Sequence, residues 1–461
     1  MTSLPYLSAT EMAEQFRRRT VSPSEICDAV IEHIAKWEPR LNALYAYDPD
    51  RARLTAREST ARWSSGGELG PLDGVPVTIK DNIAIKGVPV PVGTAAAELT
   101  PATADAPPAA RLREAGAVIL GKTTMPDYGM LSSGLSSFHP LTRNPWNLSL
   151  NPGGSSAGAA AAAAAGYGPI HIGTDIGGSI RLPAGWCGLV GHKPSLGRIP
   201  IDPFYVGRVA GPLTRTVADA ALAMSVLSRP DWRDGMSLPP ATIDWSLSAA
   251  EVGGMRIGVM LEIGAGMDVD SEVRTAVEAA AKSFERAGAT LVPVAPVLTR
   301  TMLDGLDDFW RARSWADISA LPRERQTKIL PYILSWAEAG EQVSGVAAVR
   351  GFGQTMEMRK AAAQLFQTVD IVLSPTAPVA AFPAELASPL HDPARPFEHI
   401  GFTVVWNMTE QPAISINCGY TKAGLPIGLQ IVGRRFDDVG VLRLANAYES
   451  WRGPQRPWPE P

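Results

Sequence analysis

Cysteine is scarce: the chain has three, Cys27, Cys187 and Cys418, in 461 residues. An odd number at wide spacing, with no CxxC pair, excludes a disulfide framework or a thiolate metal site. It reads as buried thiols in a reducing compartment. Basic charge is not in excess either. Lys and Arg number 42 against 46 Asp and Glu, a formal net charge of −4, which argues against nucleic acid or an anionic membrane as the main partner. Long apolar runs are missing: the small-residue stretch 159–165 is far shorter than the roughly 20 residues that span a bilayer. The N-terminal residues Met1-Thr-Ser-Leu-Pro-Tyr6 show no basic region followed by an apolar core, so no signal peptide is expected and the chain reads as cytoplasmic. The six histidines have no metal-ligand spacing, and no metal or organic cofactor is implied.

What is present suffices for a large core. Hydrophobic residues make up 45% and charged residues 19%, so disorder is not expected. The length, roughly three times that of a usual domain, suits two or three domains or one large α/β domain. Ser8 with Glu11, and Ser22-Pro-Ser-Glu25, have the spacing of helix N-terminal caps. Strand-like runs are predicted at 42–47, 75–80, 117–120, 170–172, 256–260, 290–294, 370–373, 413–417 and 428–432. Helical stretches separate most of them, which predicts an α/β protein with a mixed sheet. No internal repeat is present. Residues 228–254, with Pro230, Pro239, Pro240 and Gly253-Gly254, read as a surface loop within one fold.

The chemistry concentrates in three segments. Gly173-Thr-Asp-Ile-Gly-Gly-Ser179-Ile-Arg181 presents consecutive backbone amides at Ile176, Gly177, Gly178 and Ser179 with little side-chain obstruction, the arrangement that a tetrahedral oxyanion needs. Taken alone it also reads as a glycine-rich turn with an ordinary serine. Ser155, in Pro152-Gly-Gly-Ser-Ser-Ala-Gly158, is either a hydroxyl held in a tight turn or part of a loop capping an alanine-rich helix. Lys80 closes the apolar run Val75-Pro-Val-Thr-Ile-Lys80. At the inner end of a buried strand it would lose hydration and its proton; at an exposed end it would simply reach solvent.

Two other patterns compete. Gly116-Ala-Val-Ile-Leu-Gly121-Lys122-Thr123 matches the phosphate-loop pattern in letters, but its middle is a continuous apolar strand where that motif needs a loop. Gly154-Ser-Ser156-Ala-Gly158 fits the nucleophile elbow of α/β-hydrolases, with His391 or His399 as a late histidine, although Ser149-Leu-Asn-Pro152 is a poor preceding strand. His171 and His192, on either side of Ser179, read as structural.

These motifs in this order resemble the amidase signature family. The likeness runs almost continuously from Leu72 to Leu227 and resumes at Asp370–Thr376 and Gly424–Gln430. It implies a single large α/β/α domain over the whole chain, around a mixed and mostly parallel sheet. It also implies an amide hydrolase with Ser179 as nucleophile, Ser155 as a bridging serine in a cis peptide, and Lys80 as base. Residues 176–179 match the family's oxyanion hole. Thr174, Asp175 and Arg181 are expected to brace it, and Tyr128, Gly129, Met130 and Ser132 match pocket positions.

Within the family the chain looks similar to stand-alone amidases acting on small or aryl amides, such as aryl acylamidases and urethanases. Carbamates and esters would fit the same geometry. The expected state is monomer or homodimer. The alternatives are the glutamine-hydrolysing component of a tRNA-dependent amidotransferase, which works with a partner, and the Ser156 esterase. Glu410-Gln411 and Thr124–Tyr128 depart from the common family pattern and are expected at the border of the cleft. Aromatic-rich segments 204–208 and 310–336 are expected as loops at its mouth.

Overall fold

A computed structural model describes residues 3–461; Met1 and Thr2 of the N-terminal stretch lie outside the described residues. Both predicted caps form. Ser8 Oγ accepts from Glu11 N at 3.1 Å while Glu11 Oε2 accepts from Ser8 N at 2.8 Å, starting the helix Ala9–Arg18. Ser22 and Glu25 repeat the exchange ahead of Pro23–Leu41, each cap contributing about 1 kcal/mol. The apolar faces of these helices, with Met12, Phe16, Ile26, Val30 and Ile34, pack into the core.

Eleven strands form one sheet: β1 (Leu44–Tyr45), β2 (Pro76–Lys80), β3 (Val118–Thr123), β4 (Ile170–Asp175), β5 (Val190–Lys193), β6 (Val209–Thr214), β7 (Arg256–Val259), β8 (Thr290–Pro293), β9 (Ile371–Pro375), β10 (Ala413–Tyr420) and β11 (Pro426–Val432). Their order is β1-β3-β2-β4-β6-β5-β10-β11-β9-β7-β8. The sheet is mixed, as predicted, but not mostly parallel. Parallel pairing is confined to β2 with β3 and β4, and β7 with β8 and β9; the other six pairings are antiparallel. The antiparallel block comes largely from β5 and β6, which periodicity misses. Val190-Gly-His-Lys193 and Val209-Ala-Gly-Pro-Leu-Thr214 carry glycine, proline and charge where β-formers are usual.

Both faces of the sheet are covered. Along β9, Ile371 and Leu373 enter one hydrophobic cluster while Val372 enters the other, the two-residue alternation of a strand buried on both sides. In β2, all five residues are buried, so its closing residue Lys80 is carried inside with it. The helix Ala157–Ala164 lies against this central region with every residue buried. Its small side chains permit the approach: a Cβ at Gly158 would stand 2.2 Å from the Ala43 carbonyl oxygen. Residues 229–254 form neither helix nor strand.

Candidate active site

The site gathers at the carboxyl ends of β2 and β4, which run parallel with Ile79 opposite Ile172. Lys80 is fully buried. Its Nζ lies 2.8 Å from Ser155 Oγ, 3.0 Å from Ser156 Oγ and 3.1 Å from Thr174 Oγ1. No carboxylate among the described residues pairs with it. Burial pushes its amine well below the ordinary lysine range, and the Arg208 guanidinium adds to this, while Asp175 and Asp81 oppose it. Asn82 Nδ2 donates to Thr174 Oγ1 at 3.0 Å, fixing the hydroxyl that Lys80 meets.

The Gly154–Ser155 peptide bond is cis. Gly154 is obligatory for room, since a Cβ there would stand 2.4 Å from Ser133 N. Ser156 is fully buried, and its Oγ donates to the Thr174 carbonyl at 3.2 Å while Lys80 donates to it. No histidine reaches it among the described residues: His391 Nδ1 accepts from Ala387 N, and His399 lies in the wall of a cavity that Ser156 does not line. The elbow geometry for a Ser156 esterase is therefore not assembled.

The loop after β4 is held by a buried ion pair. Arg181 Nη2 and Nε donate to the two Asp175 oxygens at 2.9 and 3.0 Å, and neither side chain is exposed. Burial alone would raise the Asp175 carboxyl, but Arg181 overrides it and holds the group far below the usual carboxylate range. Asp175 Oδ1 also accepts from Gly178 N at 2.8 Å. That corrects the predicted donor set: the Gly178 amide is committed to Asp175, while the amides of Ile176, Gly177 and Ser179 have no hydrogen-bond partner among the described residues. Gly178 has φ +129°, and a Cβ there would stand 2.5 Å from Thr403 Oγ1. Thr403 Oγ1 donates to the Gly177 carbonyl at 2.6 Å, and Asn407 Nδ2 donates to Asp175 Oδ1 at 2.9 Å. Gln430 Oε1 accepts from Arg181 Nη1 at 2.7 Å.

Two cavities meet at Ser179. One is mainly apolar, walled by Met130, Leu131, Ile176, Trp310, Phe397 and Ile400, with Ser132 and His399 among its polar lining. The other has more polar and charged residues in its lining, among them Asn82, Tyr128, Ser155, Thr174, Arg208 and Arg313. Both share Gly129, Met130, Ile176, Ser179 and Arg313. Ser155 and Ser179 thus face one space, although their hydroxyls are not hydrogen-bonded to each other.

The predicted mouth segment 204–208 does line a cavity, through Tyr205 and Arg208, whereas sequence reasoning misses Asn82, Thr403, Asn407, Gln430 and the placement of His399. Gln430 lies at the end of a segment that carries the family likeness, and Asn407 lies beside Glu410-Gln411; nothing in the sequence marks Thr403. Glu410 and Gln411 do not border the cavities. Glu410 instead pairs with Arg359 at 2.6 Å and with Arg435. The segment 310–336 lines the cavities from helices Arg300–Ser319 and Pro331–Glu338, not from loops. The phosphate-loop look-alike lies in β3, with Gly121, Lys122 and Thr123 as strand residues.

Fold and site define a class: a large α/β protein with a concave site where central strands end. The chain belongs to the amidase family, whose model, described as Amidase, matches residues 25–442. It is 34% identical over 466 residues to an acylamidase of Rhodococcus erythropolis, covering 99% of this chain and 97% of the relative. It is 37% identical to the A component of the glutamyl-tRNA(Gln) amidotransferase of Myxococcus xanthus, covering 96% of each. Among solved structures, a bacterial aryl acylamidase of the amidase signature family superposes with a TM-score of 0.88 at 29% identity, covering 97% of both chains. The protein is an amide-hydrolysing enzyme of this family. No described helix is long and apolar enough to cross a membrane.

Proposed function

We propose that this amidase hydrolyses small or aryl amides, and carbamates and esters of similar shape, through an acyl-enzyme on Ser179. Ser155 relays the proton and Lys80 is the base. The observation that carries the reading is the buried Lys80 amine, 2.8 Å from Ser155 Oγ, where Ser155 lines the same cavity as Ser179.

Hydrogen counting supports it. The Ser156 hydroxyl is spent on the Thr174 carbonyl, so Ser156 Oγ can only accept from Lys80. Thr174 Oγ1 accepts a second N–H. A neutral amine has two hydrogens, and its lone pair is then left for the Ser155 O–H. Lys80 takes that proton as Ser155 takes the proton of Ser179, whose oxygen attacks the carbonyl carbon. The amides of Ile176, Gly177 and Ser179 meet the oxyanion. As the C–N bond breaks, the proton returns through Ser155 to the leaving nitrogen, because an amide anion is a very poor leaving group. Water releases the acyl group by the same route.

A second reading is glutamine hydrolysis for a partner, as the name of the Myxococcus relative suggests. The apolar wall of Trp310, Phe397 and Ile400 beside Ser179 favours the first. The test is hydrolysis of 4-nitroacetanilide by the purified chain. Turnover without a partner, lost in Ser179→Ala, is expected. Turnover of glutamine alone, and only with added partner proteins, would overturn the reading.

A further inference from the structure

His399 belongs to the apolar cavity beside Ser179 yet has no assigned task. It is 3% exposed, and its Nε2 is buried without a hydrogen-bond partner among the described residues; its ring stacks at 25° on Trp186, with centroids 6.4 Å apart. Burial pushes its pKa down to about 3, so at neutral pH the imidazole is uncharged, with one N–H to donate and one nitrogen to accept. A buried polar group without a partner is costly, and the cost of such a group in a cavity wall is offset when a ligand supplies the bond. Ser132 lines the same wall.

The cavity is on the acyl side. Ser155, which returns the proton to the leaving nitrogen, lines only the polar cavity, so the amine part departs there. Ile176 and Ser179 line both cavities, but Gly177 lines the apolar one alone: a Cβ at Gly177 would stand 3.2 Å from Ile400 Cδ1 and 3.7 Å from Trp310. Apart from Arg313, whose guanidinium stacks 4.0 Å over the Tyr205 ring, this cavity has no charged lining residue.

We propose that His399 sets acyl specificity by hydrogen-bonding a neutral polar substituent, a hydroxyl or carbonyl, on an otherwise apolar acyl group. This rests on the proposed use of Ser179 and Ser155. The preferred acyl groups are aromatic or aliphatic chains bearing one such substituent, in preference to plain hydrocarbons.

The test measures binding in the Ser179→Ala protein, where turnover does not interfere. The probes are 3- and 4-hydroxyphenylacetamide against 3- and 4-methylphenylacetamide, and 5-hydroxypentanamide against hexanamide. At least one hydroxyl member should bind about tenfold more tightly than its methyl counterpart. Adding His399→Leu should erase or invert that ratio, and His399→Gln should restore part of it. Equal binding within every pair, no binding at all, or a preference that survives His399→Leu in a folded variant would overturn the proposal. Turnover by the Ser179 enzyme is scored separately: its absence would count against the amidase mechanism while leaving a binding preference that depends on His399 intact.

Discussion

Asp175 and Arg181 form a bidentate ion pair with no exposed surface on either side chain, directly beneath the loop that carries Ser179. Removing one member leaves the other as an uncompensated buried charge. Arg181→Met should therefore lose about 3–5 kcal/mol in urea unfolding, together with most of the activity. The pH dependence has a definite sign. Because folding lowers the Asp175 pKa, its contribution is complete above the unfolded value of about 3.9. It declines only as the pH falls below that value towards the folded one. Unfolding curves of wild type and variant should converge in acid below about pH 4, and a constant gap there would contradict the assignment.

Lys80 acts with the same sign in a higher pH window, but as a cost rather than a gain. Its pKa is lowered by folding, so below about pH 10.4 the unfolded chain holds a proton that the native state resists, and stability rises with pH up to that value. Lys80→Met should raise the melting temperature at neutral pH, with the gain fading in strong alkali. The same variant should lose about 10²–10⁴-fold in kcat. In the wild type, the pH profile of kcat/KM should level off well below 10.4, the ordinary lysine value of about that size.

Gly178→Ala tests the amide donors. Its φ of +129° and the 2.5 Å approach to Thr403 Oγ1 leave no room for a methyl group, so the Ile176–Ser179 loop must shift. We expect kcat to fall at least about 100-fold with a smaller change in KM. An unchanged kcat would show that the loop geometry is not needed.

Ser156→Ala separates the two adjacent serines. It removes one acceptor for Lys80 and one bond to the Thr174 carbonyl, worth roughly 1 kcal/mol. Activity should fall roughly tenfold or less, whereas Ser155→Ala and Ser179→Ala should abolish it. Steady-state kinetics on one anilide substrate decide between these outcomes.

Legibility in the sequence follows the range of the contact. The cap at Ser8 is a local event over three residues, and it is readable. Lys80, Ser155 and Ser179 are singled out by the order of their motifs, which resembles the amidase signature family; read one segment at a time, each also fits an ordinary turn or strand end. Thr403 is not singled out, since its bond to Gly177 spans 226 residues and its own surroundings read as an ordinary buried helix. Gly178 reads as a free donor because glycine amides look unobstructed in a sequence; the Asp175 carboxylate that occupies it is visible only once the loop has turned. The strand β6 escapes because Gly211 and Pro212 mimic a turn. Its sequence is tolerated because Gly211 lies against the His192 carbonyl, where a Cβ would stand at 2.2 Å.

The most direct test of the mechanism is to ask which oxygen becomes acylated or sulfonylated. Treating the enzyme with phenylmethanesulfonyl fluoride and locating the adduct by peptide mass spectrometry should place it on Ser179, at a rate that collapses in Lys80→Met. An adduct on Ser156, or a labelling rate indifferent to the loss of Lys80, would contradict the account.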